Sequence, residues 1–370
     1  MNNNILVRHI KDLNEFEKLR DDWKHLLEHY PEKTVFLTWE WLYAWWKHNQ
    51  EGKALWLLTA WQENNLVGVA PLMLSKTKKH GMPFRLLQTL GTPNTDQSDF
   101  IAQNSDPEIV ALFCQYILAQ QDKWDVIELN EHKDEDANTH IITNALTGSG
   151  LITKINSNLH HHIEIKESWD IYLKSLSKNM RRDMEKCARH AKEKNTVELK
   201  CFRGANIRWE HFETFFEINK NGHFPEKYQS EKERAFHREL FEMMRDRSWI
   251  EIVILYLNEK PVAYEYGFNL NGRFEDWRTG YDTNYADQAA GKLLLIMLVK
   301  ELFEQGYHDF DFLRGEYEHK DRWKPSSRKF LNIIAIRPTH IPARIALIAI
   351  PKVWQWIKKT ILHKQGSHHQ

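Results

Sequence analysis

The chain has 370 residues, longer than one hydrophobic core usually supports, so two domains are expected. Lys and Arg total 51, as do Asp and Glu, which excludes a global field for DNA or another acidic polymer. An apolar content of 42% excludes a disordered chain, and three cysteines (Cys114, Cys187, Cys201) with no CxxC pair point to small core thiols in a reducing cytoplasm.

The opening "MNNNILVRHIKDLNEF" lacks the charged stretch and apolar run of a signal peptide. Leu13 to His29 predicts a helix with Phe16, Leu19, Trp23, Leu26 and Leu27 in one stripe. A second helix, "TWEWLYAWWKHN", starts at a Thr38 cap. The hairpin "ALWLLTAWQ"/"LVGVAPLML" follows, then strand "FRLLQTLG", a short "SDFIA", a helix from Pro107 to Gln121 and strand "WDVIELN". A helix through Thr139–Thr147 and strand "HHIEI" close a first domain at residue 165.

The second domain, 166–340, opens on a basic helix over 177–194. Met180, Met184, Cys187, Ala188 and Ala191 make its core face, while Lys178, Arg181, Arg182, Lys186 and Arg189 form either a solvated face or a patch for an anionic substrate. Strand "VELKCF", two helices (206–221 and 230–247), three strands ("WIEIVILYL", "PVAYEYGFNL", "FEDWRTGYD"), the helix "KLLLIMLVKELFEQG" and strands "FDFLRG" and "KFLNIIAIR" complete it. The class is α/β (α+β), with mixed, largely antiparallel sheets flanked by helices. In the tail, 341–370, Pro342, Arg344 and Pro351 interrupt the apolar run. It either packs on the body or lies on a membrane surface, with Trp354, Trp356 and Ile357 beside Lys358 and Lys359.

Between strand "FEDWRTGYD" and the next helix, Gln288, Ala289, Ala290, Gly291 and Lys292 form a small-residue turn. Free amides at a helix start favour anions, and small side chains admit a pyrophosphate; an ordinary helix start is the alternative. "HHH" at 160–162 alternates sides of a strand, and neither a zinc spacing nor a GxSxG elbow occurs, so no metal and no serine nucleophile are expected.

Three stretches carry a resemblance: "FLTWEWLYAWWKH" with "VAPLML", then "YLKSLSKNMRRDMEKCARHAKEK", then "GYDTNYADQAAGKLLL" through "GYHDFDFLRGEYEHKDRW". Together they span residues 35 to 325. They resemble the GNAT acyltransferase superfamily, specifically its BioF2-like or CelD-like acetyltransferases, relatives of the FemAB peptidyltransferases. The resemblance implies two GNAT-like domains, with the second taking acetyl-CoA or another acyl-CoA. It implies acyl transfer to the amine of a small-molecule, glycan-linked or lipid-linked acceptor in cell-envelope or exopolysaccharide synthesis. An aminoacyl-tRNA donor of the FemAB type, or a non-catalytic binding protein, is the alternative.

For that chemistry Glu265 and Asp311 are candidate bases, and Tyr281 (or Tyr285) a candidate acid for the leaving thiolate. Glu265 shares a strand face with Ala263 and Gly267, either a ligand groove or an exposed face. Asp276 and Arg278 are read on one face, pairing across the sheet or touching substrate. Phe310 and Phe312 alternate with Asp309 and Asp311 as in a half-buried strand, which runs into Arg314, Glu316, Lys320 and Trp323. That cluster is read as a substrate-binding rim, with Trp323 closing over the site or anchoring the turn.

Overall fold

The computed structural model describes residues 5–31, 33–315 and 318–351, and no side-chain contacts are described for Glu318 and His319. Glu316 therefore lies outside the described residues, as do the tail tryptophans. In chain order the elements are β1 (Ile5–Ile10), α1 (Leu13–Lys18), α2 (Arg20–Glu28), α3 (Trp39–Asn49), β2 (Lys53–Gln62), β3 (Asn65–Lys79), β4 (Met82–Thr89) and β5 (Ile101–Ala102). They continue with α4 (Pro107–Ala119), β6 (Val126–Lys133), α5 (Ala137–Gly148), β7 (Ile152–Glu164), α6 (Trp169–Ser175), α7 (Lys178–Lys194), β8 (Val197–Arg203), α8 (Trp209–Lys220) and α9 (Glu231–Met244). The remainder is β9 (Ile250–Leu257), β10 (Lys260–Leu270), β11 (Arg273–Tyr281), α10 (Ala290–Glu304), β12 (Asp309–Asp311), α11 (Glu318–Asp321), β13 (Ser326–Ile336) and α12 (Ile341–Arg344).

Most elements form where periodicity places them. The Thr38 hydroxyl accepts from the Trp41 amide (3.2 Å) and starts α3, an N-cap at the expected residue. The long first helix is instead two, joined at Leu19, with the same buried stripe of Phe16, Leu19, Trp23, Leu26 and Leu27. Strand β1 alternates half-buried and exposed residues over Ile5–His9, and helix α6 buries no residue completely.

The chain divides into two compact units that are not contiguous in sequence. Unit 1 comprises Met1–Glu32, Asn49–Ser157 and Leu331–Gln370; unit 2 comprises Lys33–His48 and Asn158–Phe330. This differs from the division at 165/166 and 340/341, and side-chain packing explains the difference. Trp41 of α3 meets Trp277 edge-to-face at 4.9 Å within unit 2, and Leu331, Ile333 and Ala335 of β13 enter the core of unit 1.

In unit 1, β1, β2, β3 and β4 form an antiparallel meander, with β6 parallel to β4 and β5 beside β3. Helices α4 and α5 bury Phe113, Ile117, Ile142 and Leu146 against it. In unit 2, β8, β9, β10 and β11 run antiparallel, β12 lies parallel to β11, and β7 antiparallel to β12. Helices α7 and α10 cover one face through Met180, Met184, Leu293, Leu294 and Leu298. Helices α8 and α9 cover the other with aromatics, Phe212, Phe215 and Phe236 packing on Tyr264, Tyr266 and Trp277. Among the described residues no helix is long and apolar enough to cross a membrane.

Candidate functional site

Strands β11 and β12 stay paired only briefly. Their parallel register covers Arg273–Glu275 against Asp309–Asp311, and from Asp276 to Tyr281 β11 keeps β10 as its one described strand neighbour. An unpaired strand edge presents backbone amides and carbonyls to a ligand. The start of α10 lies near this edge, because the Tyr281 ring packs on Gly291: a Cβ on Gly291 would lie 3.0 Å from Tyr281 Cδ1.

A β-bulge sets which side chains meet there. The β10–β11 register pairs Glu265 with Thr279 and Tyr266 with Arg278, then slips so that Gly267 pairs with Asp276. Partners in register share a face, and Tyr266 and Gly267 point oppositely. Asp276 therefore lies on the Glu265 face and Arg278 on the aromatic face, which corrects the reading that put both charges on one face. Arg278 stacks on the Trp277 ring at 3.7 Å and donates to the Trp277 carbonyl at 2.9 Å.

Glu265 is only 2% exposed, which removes the exposed-face alternative. Thr279 donates to its Oε1 at 3.0 Å, while Glu265 Oε2 and Asp276 Oδ1 find no other donor among the described residues. The two carboxyl groups are close enough for each to act on the other's ionisation. Burial, then the Asp276 charge, pushes Glu265 well above the usual carboxylate range, and burial raises Asp276 as well. The nearby Lys320 ammonium opposes both shifts. Carboxyls whose pKa values are raised in this way can accept or return a proton above the ordinary carboxylate range.

Asp311 belongs to a different arrangement. It is fully buried and takes Arg328 Nη1 at 3.0 Å and the Leu313 amide at 2.8 Å. Burial would raise its pKa, but Arg328, His160 and Arg273 outweigh it and hold the group below the usual range. Asp309 is likewise held by Arg328 and by Arg273 Nε at 3.2 Å. A carboxylate so neutralised is a poor proton acceptor, so Asp311 is corrected from base to structural anion. The expected half-buried alternation is corrected too: Asp309 and Asp311 are as buried as Phe310 and Phe312, because these cations permit it.

The rim residues are mostly structural. Lys320 is buried, and its ammonium donates to the carbonyls of Phe312 (3.1 Å), Gly315 (2.9 Å) and Arg314 (3.4 Å), fixing the loop after β12. Trp323 is 2% exposed in the unit 2 core, with Tyr172 donating to its carbonyl at 2.5 Å, so it anchors and does not close over the opening. Arg314 is half-buried in the loop after β12. Arg181 donates to the carbonyls of Lys174 and Leu176 at the end of α6, whereas Arg182 is exposed on α7.

Ala289 adopts a left-handed conformation (φ 52°) and caps α10 without a side-chain bond, leaving the amides of Ala290, Gly291 and Lys292 outside the helical ladder. The Lys292 ammonium pairs with Asp183 at 2.5 Å, and Asp183 also holds Arg322 at 2.8 Å, so the cation expected for phosphate is already neutralised. The Gln288 side chain is tied to Asn195 at 2.8 Å. The Tyr281 hydroxyl meets His223 Nε2 at 3.0 Å, and its ring packs on Gly291 at the α10 turn. His223 and Thr279 were not singled out in the sequence, since neither lies in a recognisable motif. Among the described residues no cluster of His, Cys, Asp or Glu has metal-site geometry.

Residues 178–321 match the family model described as "Acetyltransferase (GNAT) domain". No curated protein matches the chain by sequence. Among solved structures it is similar to FemX (11% identity, 88% of this chain and 96% of that one, TM-score 0.57). It is also similar to L-PGS from Bacillus licheniformis (12%, 89% and 95%, 0.53) and to a conserved protein of unknown function from Bacteroides thetaiotaomicron (12%, 90% and 100%, 0.51). At these identities the likeness is one of fold.

Proposed function

We propose that this GNAT-superfamily chain transfers an acyl group, acetyl in the simplest case, from a coenzyme A thioester to an amine. The acceptor class is a cell-envelope or polysaccharide-related amine, and the setting is the cytoplasm. The observation that carries the proposal is the pair of neighbouring carboxyls, Glu265 and Asp276, on one face beside the open edge of β11, with the bare amides of α10 close by. The pyrophosphate would rest on the amides of Ala290, Gly291 and Lys292. The amine nitrogen attacks the thioester carbonyl, a C–N bond forms and the C–S bond breaks. Asp276, the more exposed member of the pair, takes the proton lost from the amine, Glu265 tunes its basicity, and the Tyr281 hydroxyl protonates the departing thiolate. An amide of the unpaired β11 edge would bond the oxyanion.

The fold shared with FemX and with L-PGS favours a second reading, transfer of an aminoacyl group from a charged tRNA. Both donors carry an activated carbonyl, and the exposed α7 cations Lys178, Arg182, Lys186 and Arg189 would then contact phosphates. Thermal melting with acetyl-CoA, longer acyl-CoAs and aminoacyl-tRNA separates the two, since a ligand bound by the native state alone raises the midpoint. A shift with a CoA thioester supports the first reading. A shift with charged tRNA alone replaces it with the second.

A further inference from the structure

The hairpin joining β3 to β4 borders a groove in unit 1 of about 560 Å³, lined by Lys76, Lys78, Phe84, Arg85, Asp125 and His340. This groove is remote in sequence from every residue assigned to acyl transfer. Its electrostatics are one-sided. Asp125 is the acidic residue of the lining, and it is occupied by Arg85 (2.7 and 2.9 Å), Arg337 (3.4 Å) and His340 (3.6 Å). Lys76, Lys78 and Lys79 are exposed and form no ion pair among the described residues. Lys76 stands directly opposite Arg85 in the β3–β4 register, and because Asp125 already pairs with Arg85, the Lys76 charge is left to solvent or a ligand.

Sequence extends the asymmetry. No Asp or Glu occurs between Glu63 and Asp96, and none follows Asp321, although the whole chain is neutral. The segment after β13 is apolar as well as basic. Ala343 and Ala346 are buried against Phe84 and Leu86, while Ile341 stands 60% exposed next to exposed Arg344. Beyond the described residues the sequence adds Trp354, Trp356, Lys358 and Lys359. Exposed cations beside an exposed apolar side chain match the surface of an anionic bilayer, where headgroups meet the charges and acyl chains meet the apolar groups.

We propose that this face of unit 1, formed by the 76–85 hairpin and the 337–350 segment, docks on an anionic lipid bilayer, with the groove receiving a phosphate-bearing headgroup. No spanning segment is needed for such contact. The test is cosedimentation of the full chain with vesicles of phosphatidylcholine alone or mixed with phosphatidylglycerol. The chain is expected on the mixed vesicles only, with affinity falling as salt rises. The Lys76→Gln, Lys78→Gln, Lys79→Gln variant should lose on the order of a hundredfold in affinity with its melting temperature unchanged. Ile341→Ser should weaken binding without altering its salt dependence. Equal binding to both vesicle types, or wild-type binding by the triple variant, overturns the proposal. So does stabilisation by inorganic phosphate without vesicle binding, or self-association that the triple variant abolishes.

Discussion

Glu265 and Asp276 sit on adjacent strands with their carboxyl groups on one face, where burial raises both pKa values and the Asp276 charge raises that of Glu265 further. Water would let both ionise at the ordinary carboxylate range; burial and mutual repulsion prevent it. The bulge between Tyr266 and Gly267 creates this contact by turning Asp276 to the Glu265 face.

If that pair receives the amine proton, the rate has an acid limb above the ordinary carboxylate range. Asp276→Asn should lower kcat by about 10²–10⁴-fold with little change in donor KM, and Glu265→Gln by less. Asp276→Asn removes the second-largest cause of the Glu265 shift, so any residual activity should show its acid limb at lower pH. A pH–rate series on the three proteins measures both, and superimposable limbs for the wild type and Asp276→Asn would exclude the pair.

Lys320 sits on the other side of the same balance. Its field lowers both acids, so Lys320→Met should move the acid limb to higher pH. The variant also strips a donor from the carbonyls of Phe312, Arg314 and Gly315, costing about 1–3 kcal/mol by chemical denaturation. A stability loss with no movement of the limb would make Lys320 a loop anchor alone.

Glu275 tests buried acidity away from chemistry. It is fully buried, accepts from the Val35 amide at 3.1 Å, and burial raises its pKa to about 7. The folded state thus binds a proton that the unfolded state releases at the ordinary 4.5. The stabilisation is fully present below that value and is lost as pH rises through about 7, on the order of 3 kcal/mol. Glu275→Gln should flatten this part of the stability–pH curve, and an unchanged slope would contradict the assignment.

Arg328 neutralises Asp309 and Asp311 in one step. Arg328→Met leaves two buried carboxylates with weaker compensation and should cost about 3–5 kcal/mol. Because the Asp311 pKa is depressed, its stabilisation is present above the ordinary carboxylate range and disappears as pH falls through the lowered value. Wild-type denaturation midpoints for Arg328→Met would show that the network contributes nothing.

The fold was largely legible because its strands and helices carry clean periodicity: the hydrophobic face of α7 and the β9–β10–β11 meander both stand where spacing puts them. The site was legible residue by residue but not in its relations. Glu265 was found from its small neighbours, yet its partner was misplaced because a bulge is invisible in alternation. Asp311 and Lys320 have the residue types of a site, and only tertiary partners reveal that Arg328 and three carbonyls already use them. The alternating aspartates of β12 did carry a signal: two acids in a central strand demand a cation, and Arg328 answers it from β13.

The central claim is a coenzyme A thioester seated on the start of α10, and calorimetric titration with acetyl-CoA tests it directly. The account predicts one saturable site on the wild-type chain. Gly291→Asp should weaken it at least about tenfold, by placing a carboxylate among the amides that meet the pyrophosphate. Because that side chain also presses on Tyr281, the variant must first show a folded melting transition. Absence of binding by any acyl-CoA, or equal affinity for the wild type and a folded Gly291→Asp, would contradict it.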